Sequence, residues 1–263
     1  MKQLLLVALS CGASLGSAVQ LPSALPDSLQ QQQVATLLAQ ADTLLSNALE
    51  SRRALALYSE ALSLNRRSPE ILWRISQSYV DIADNLGADE RELKLSMYEK
   101  ALEFADKSVH ADRGNSMALT RRAIARARVA LFKGFWESIG LMKETREDLE
   151  NALSADSTNH EAHFALGSTH LKVIEKPWIL RWPLGLGWGD REEAINHFER
   201  AIELRWDRIE YRLAAARLYI EDDEHAKARA HLSLIPMLRA VNRTDLVARQ
   251  EAHVLLEKID AEH

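Results

Sequence analysis

Residues 194–201 read AINHFERA, in which the bulky Phe198 stands four positions after the small Ala194 and three before the small Ala201. Residues with these spacings lie on one face of an α-helix, so the stretch predicts a helix that a neighbouring helix can approach closely. The same order recurs, in full or in part, at Ala54/Tyr58/Ala61, Ala101/Ala105/Ser108, Leu149/Ala152 and Ala228/Leu232. A recurring helical pattern of this kind predicts an array of stacked helix pairs.

The spacing of these stretches predicts the unit of the array. First helices are expected to begin near Ala35, Pro69, Ser116, His160 and Ile209. The first spacing matches the roughly 34-residue unit of tetratricopeptide repeats, and the later three are longer. The extra residues fall between the two helices of a unit, so the insertions should share one edge. We predict an all-α, tetratricopeptide-like α-solenoid of about five helix pairs, with long inter-helix insertions and a C-terminal capping helix over 244–259.

The composition agrees with a helical protein. Glycine and proline are scarce, at 10 and 6 of 263 residues, and no proline occurs between Pro69 and Pro177. An all-β fold, which needs turn residues roughly every 8–12 positions, is therefore excluded. A hydrophobic content of 47% and a net charge of −5 exclude a disordered chain. The charges are too balanced for a nucleic-acid-binding face, and the one cysteine, Cys11, allows no disulfide or thiolate metal site within a monomer.

The N-terminus, residues 1–18, is predicted to be an export signal. A basic start precedes a short apolar run, and the small residues that follow end at Ala18, as at a cleavage site. We expect an exported protein, periplasmic or secreted and soluble after cleavage near Ala18. Lipid attachment at Cys11 and an uncleaved anchor are the alternatives. Residues 19–33 are predicted to be a polar linker, and residues 34–263 a single helical-repeat domain.

The most unusual segment is the insertion 176–190, which holds Trp178, Trp182 and Trp188 together with three glycines. An exposed aromatic loop of this size would mark a partner site or a membrane-surface site. A packed loop would instead close the solenoid, and the sequence leaves both interpretations open. Asp190 is expected to cap the helix that follows.

Two other groups of polar residues have a functional and a structural interpretation. Arg122 and Arg126 stand where the repeat expects buried apolar side chains, so they form either a basic patch or ion pairs with neighbouring carboxylates. His160, His163 and His170 lack the HExxH spacing of zinc proteases and are predicted to be structural. We expect no catalytic residue, no cofactor and no metal site.

Five segments carry a resemblance to known proteins: Ile71–Arg74, Met97–Ala105, Asp148–Leu153, Glu175–Trp178 and Arg249–Ala252. They resemble the regulator of microtubule dynamics family, a group of tetratricopeptide-like proteins. The resemblance covers roughly residues 65–260 and implies an all-helical interaction protein without catalysis. In eukaryotic members it implies association with microtubules and with organelle membranes. Together with the export signal, it predicts an exported, bacterial-type relative.

The predicted function is a non-enzymatic interaction scaffold that binds a peptide or protein, and not nucleic acid, on its concave face. Candidate contacts on that face are Trp73, Gln77, Phe164, Lys172 and Arg217. Candidate contacts in the insertion are Trp178, Trp182 and Trp188. One alternative is a membrane-surface-associated assembly protein that makes a peripheral membrane contact through 176–190. The other is a microtubule-associated protein.

Overall fold

The computed structural model describes residues 26–45, 50–241 and 243–261. These residues form helices joined by turns, and no strand occurs among them. The first six helices are α1 (Asp27–Leu45), α2 (Ser51–Leu64), α3 (Pro69–Asp84), α4 (Arg91–Ala111), α5 (Ser116–Ala130) and α6 (Phe135–Ala155). The next six are α7 (His160–Ile174), α8 (Trp178–Arg181), α9 (Arg191–Leu204), α10 (Ile209–Glu221), α11 (His225–Leu232) and α12 (Arg243–Ala261).

Side-chain caps set where several helices begin. The side chains of Ser68, Asn115, Asn159 and Asp190 each accept a hydrogen bond from a backbone N–H three residues on, at the starts of α3, α5, α7 and α9. Such a cap satisfies an N–H that has no partner within its helix and stabilises by about 1 kcal/mol. Pro69 follows the Ser68 cap at the first helical position, where its missing N–H leaves nothing unsatisfied. The cap predicted at Asp190 is confirmed.

The helices form five antiparallel pairs, α1/α2, α3/α4, α5/α6, α7/α9 and α10/α11, and α12 covers the last pair. The small residues predicted at the crossings are fully buried, among them Ala54, Ala101 and Ala194. The close approach is tightest at Gly167 of α7, where an added Cβ would lie 2.8 Å from the Phe198 ring and 2.9 Å from the Ala194 carbonyl. The tetratricopeptide-like solenoid is therefore confirmed.

The three inserted segments connect the first helix of a pair to the second. They follow the C-terminal ends of α3, α5 and α7, at 85–90, 131–134 and 175–190. Because these first helices lie side by side, the connections share one edge of the solenoid, as predicted. Much of the extra length in the second and third units is helical, since α4 and α6 have 21 residues each. The connection 175–190 differs, because it holds only the short α8.

The predicted linker 19–33 is partly helical. Helix α1 begins at Asp27, and the Gln30 side chain donates a hydrogen bond to the Leu64 carbonyl at the end of α2. Glutamine favours helix, and Ala41 further along α1 is fully buried, so the packing of α1 on α2 holds the preceding turns in the same helix.

The predicted export signal 1–18, including the cleavage site at Ala18 and the alternative lipidation site at Cys11, lies outside the described residues. Export, with a periplasmic or secreted location, stays a prediction. Within the described ranges, no helix combines the length and the apolar character that a membrane span requires.

Candidate functional site

Four first helices, α3, α5, α7 and α10, line a groove of about 660 Å³ on the concave side. Three of the five contacts predicted for that face lie in the groove, namely Gln77 of α3 and Phe164 and Lys172 of α7. The groove extends to the edge that carries the insertions, where Lys133 and Lys176 also line it.

The other two predicted contacts lie outside the lining of this groove. Trp73 of α3 is half-buried, with the Arg74 guanidinium 4.2 Å and the Arg121 guanidinium 5.8 Å from its ring centroid. Arg217 of α10 pairs with Glu251 of α12 at nitrogen–oxygen distances of 2.6 and 2.7 Å. The charge of Arg217 is therefore engaged by the capping helix.

An aromatic stack forms the apolar part of the groove. The rings of Phe164 and Tyr211 are nearly parallel, with centroids 4.4 Å apart, and Phe164 also packs against Phe198 of α9 at 5.4 Å. The Tyr211 hydroxyl lies 2.8 Å from His160 Nδ1, so its polar end is satisfied. The exposed part of Phe164 offers an apolar contact to a side chain that enters the groove.

Three ion pairs line the same groove. They are Arg121–Glu161 at 2.7 Å, Arg208–Glu210 at 2.7 Å and Arg128–Asp84 at 3.0 Å. Burial alone would raise the pKa of Glu161, but the positive charges of Arg121, His160 and Arg208 together outweigh burial and hold that pKa below its usual range. The Arg121 side chain is itself buried, so this pair joins α5 to α7 at low solvent exposure.

Asp81 of α3 is the groove carboxylate with no ion pair. Burial, opposed by Arg121 and reinforced by the charge of Asp84 and Glu161, raises the pKa of Asp81 to about 7. Its side chain forms no hydrogen bond with another described residue. The groove thus combines an aromatic stack, three ion pairs within the chain and one carboxylate, that of Asp81, without an ion pair.

Arg122 and Arg126 are ion-paired, which decides between the two sequence interpretations. Arg122 Nε donates to Asp148 at 2.8 Å, Arg126 Nη1 donates to the same carboxylate, and Arg126 Nε lies 3.1 Å from Glu144. Asp148 is buried. These arginines therefore join α5 to α6, and their charges are engaged within the chain.

Two of the three histidines predicted to be structural, His163 and His170, lie between α7 and α9, whereas His160 contacts Tyr211 of α10. His163 Nε2 is 3.1 Å from the Ser157 carbonyl, so this nitrogen carries the proton, and His163 Nδ1 accepts from His197 Nδ1 at 3.0 Å. His170 Nδ1 accepts from the Asp190 backbone N–H at 3.2 Å. Burial and the charges of His163 and His170 lower the pKa of His197 to about 4. No group of metal-binding side chains occurs within the ranges described above.

The insertion 176–190 is divided into an exposed and a packed half. Trp178 and Trp182 are 76% and 85% exposed. Leu186 is fully buried in a cluster with Ile139 of α6, and the half-buried Trp188 packs against that cluster. One half of the segment is thus packed against the solenoid, whereas the half that carries Trp178 and Trp182 is exposed.

Sequence reasoning missed several groove residues, above all Asp81, Arg121, Arg208 and Tyr211. Asp81 stands four positions after the predicted contact Gln77, so helical spacing alone could have placed both on one face. No sequence spacing relates Arg121, Arg208 and Tyr211 to Asp81, because none of them lies on α3.

Known proteins resemble this chain in sequence. A family model described as "Regulator of microtubule dynamics protein 1-3" matches residues 37–260. The chain belongs to this family. Regulator of microtubule dynamics protein 1 of Bos taurus is 28% identical over 140 residues, which cover 50% of this chain and 43% of that protein. The Mus musculus protein is 27% identical over 177 residues, covering 65% and 56%. The chain thus spans about half the length of the curated relatives it matches.

Solved structures support the fold. A thermophilic tetratricopeptide-repeat protein of Thermus thermophilus superposes with a TM-score of 0.61 at 18% identity, covering 84% of this chain and 99% of that one. The structure of pilF from Pseudomonas aeruginosa gives a TM-score of 0.52 at 15% identity, covering 88% and 87%. At these identities the likeness shows the shared helical-repeat architecture alone.

Proposed function

We propose that this family member is a non-enzymatic interaction scaffold that binds a peptide segment of a protein partner in the concave groove. The observation that carries the proposal is the groove itself, because the Phe164–Tyr211 stack and the unpaired carboxylate of Asp81 line the same cavity. An extended segment laid across α3, α5 and α7 would contact several helices at once. The groove is built on packed helices, so little ordering of the scaffold is needed on binding.

The experiment fills the groove without adding charge. Ala127 of α5 lines the groove and is half-buried, so Ala127→Trp would occupy the space that a ligand needs. Ala56→Trp on the exposed face of α2 is the matched control. A random dodecapeptide display library is selected on the full chain, and synthetic versions of the selected peptides are measured by fluorescence anisotropy.

We expect Ala127→Trp to weaken the selected peptides by about tenfold or more and Ala56→Trp to leave their affinity unchanged. Circular dichroism of both variants checks that each retains its helix content. Selection of no peptide, or equal affinity for all three chains, would argue against the groove as a binding site.

A second function, contact with a membrane surface, is favoured by the exposed half of the insertion. Trp178, Ile179 and Trp182 are all more than half exposed, and the basic Lys176 and Arg181 stand beside them in the sequence. Tryptophan side chains partition to the membrane interface, and basic residues favour anionic lipid.

Vesicle flotation tests this second function. Trp178→Ser/Trp182→Ser is compared with Trp206→Ser, which removes a tryptophan that is 65% exposed near the start of α10. The probe is phosphatidylcholine vesicles with and without phosphatidylserine. Flotation of the unaltered chain and of Trp206→Ser, but not of the double variant, is the expected result. If the unaltered chain stays in solution with both vesicles, this function is excluded.

The names of the relatives refer to microtubules, so a tubulin segment is one partner that the scaffold proposal admits. Cosedimentation of the chain with assembled microtubules measures this directly. Loss of cosedimentation in Ala127→Trp, with Ala56→Trp unaffected, would assign the contact to the groove.

A further inference from the structure

The groove holds one carboxylate for which the chain supplies no partner. Asp81 lines the cavity on α3, is half-buried, and forms neither a hydrogen bond nor an ion pair with any other residue in the described ranges. A carboxylate taken out of water without such a partner is unfavourable, because the lost hydration is not replaced.

Two of the lysines that line the groove, Lys133 and Lys172, pair with Glu99 and Glu175. The three arginines of the groove are likewise paired with carboxylates. The pairs are Arg121–Glu161, Arg208–Glu210 and Arg128–Asp84. Two of these acids, Asp84 and Glu161, add negative charge near Asp81 and so raise its pKa. A cation from outside the chain would therefore find a site at Asp81 that no arginine of the groove occupies.

We propose that the groove is selective for peptide segments that carry a lysine or arginine, whose cationic end group pairs with Asp81. The alkyl stem of such a residue, or an apolar neighbour, packs in the part of the same cavity that Phe164 lines. The proposal rests on peptide binding by this groove and adds the chemistry of the ligand.

The titration of Asp81 provides a test of the proposal that does not depend on sequence preference. Burial raises the pKa of Asp81 to about 7, with Asp84 and Glu161 adding to the rise and Arg121 and Arg208 opposing it. A bound cation favours the ionised carboxylate and so lowers this pKa. Binding of a cationic segment at a pH somewhat below 7 must then release a proton, and affinity must fall as the pH falls.

The test compares the full chain, Asp81→Asn and Asp89→Asn. Asp89 is an exposed residue of the 85–90 connection that does not line the groove, so it is the matched control. The probe is the random dodecapeptide library, followed by synthetic peptides in which one lysine is replaced by norleucine. Calorimetry in buffers of different ionisation enthalpy measures the proton release.

We expect lysine or arginine to be enriched at one position on the unaltered chain and on Asp89→Asn. Norleucine at that position should lower affinity by about tenfold, whereas Asp81→Asn should bind both peptides with similar affinity. Proton release should occur with the unaltered chain and be absent with Asp81→Asn.

Groove-bound peptides without a basic preference, or a preference that Asp81→Asn retains, would overturn this inference while leaving the scaffold function in place. Failure to select any peptide, or peptides insensitive to Ala127→Trp, would instead overturn the scaffold function. The norleucine comparison and the proton release need only the unaltered chain, so the test does not depend on the folding of Asp81→Asn.

Discussion

Arg217 of α10 and Glu251 of α12 form a two-point ion pair that joins the last repeat to the capping helix. Both side chains are partly exposed, at 51% and 36%. The apolar face of α12, by contrast, buries Ala252 and Ile259 in the core formed with α9 to α11. Because exposed ion pairs contribute little, the apolar face carries most of the attachment of α12.

Replacement of the two kinds of contact should therefore have unequal effects. We expect Glu251→Gln to lower the free energy of unfolding by about 0.5 kcal/mol, and less at high salt. Ile259→Ala should lower it by roughly 2–5 kcal/mol, because a fully buried side chain is truncated. Urea unfolding at two salt concentrations measures both. A larger loss in Glu251→Gln would contradict this assignment.

The contact between α7 and α9 can be tested at a glycine. Gly167→Ala would place a Cβ 2.8 Å from the Phe198 ring and 2.9 Å from the Ala194 carbonyl. We expect a loss of roughly 1–3 kcal/mol in unfolding free energy, since the backbone carbonyl cannot easily move.

Gly140→Ala is the matched control for Gly167→Ala. Gly140 lies within α6, and an added Cβ there would have nothing within 4 Å. We expect it to stabilise by up to about 1 kcal/mol through helix propensity. The same sign for both substitutions would show that the crossing is looser than the structure indicates.

The carboxylate shared by Arg122 and Arg126 should be a large stability determinant. Asp148→Asn leaves two arginines near a partner that can no longer carry charge, and we expect a loss of roughly 3–5 kcal/mol. Asp106→Asn is the control, because Asp106 is 54% exposed and lies 3.8 Å from Arg122. Urea unfolding compares them, and a loss in Asp148→Asn no larger than that in Asp106→Asn would contradict the prediction.

The histidines between α7 and α9 should make stability depend on pH. Burial, with the charges of its neighbours His163 and His170, lowers the pKa of His197 from 6.5 to about 4. Between these pH values the unfolded chain binds the proton and the folded chain does not. Stability from this residue is therefore fully present above pH 6.5 and is lost as the pH falls towards 4.

Urea unfolding across this pH range measures the slope. His197→Gln should reduce it by up to about 1.4 kcal/mol per pH unit, the value for one proton. His253→Gln, at an exposed position of α12, is the control and should leave the slope unchanged. An unaltered slope in His197→Gln would show that other groups cause the pH dependence.

Much of the fold could be predicted because its signals are local. The spacing of Ala194, Phe198 and Ala201 encodes a helix face whose small side chains permit a close crossing, and all three are buried as predicted. The start of α1 is predicted too far along the chain, since Gln30 to Gln33 show no apolar periodicity. Their helix propensity, the hydrogen bond from Gln30 to Leu64 and their continuity with the buried part of α1 make them helical.

The candidate site was less predictable. Helical spacing placed Gln77, Phe164 and Lys172 on the concave face. Asp81 is a candidate only because the arginines of the groove pair with other carboxylates, which the sequence does not show. The division of the insertion at Leu186 was likewise hidden, because tryptophans stand on both sides of this residue in the sequence.

By itself, the sequence determined the helix pairs, their order and the edge that carries the insertions, because each depends on spacing along the chain, and the residues of five segments indicated the family by resemblance. The tertiary structure decided which charges meet. Arg121 forms an ion pair with Glu161, so Asp81 stays unpaired, and Arg217 forms an ion pair with Glu251. These outcomes depend on distances between residues of different helices, which stacking alone sets and which no local pattern encodes.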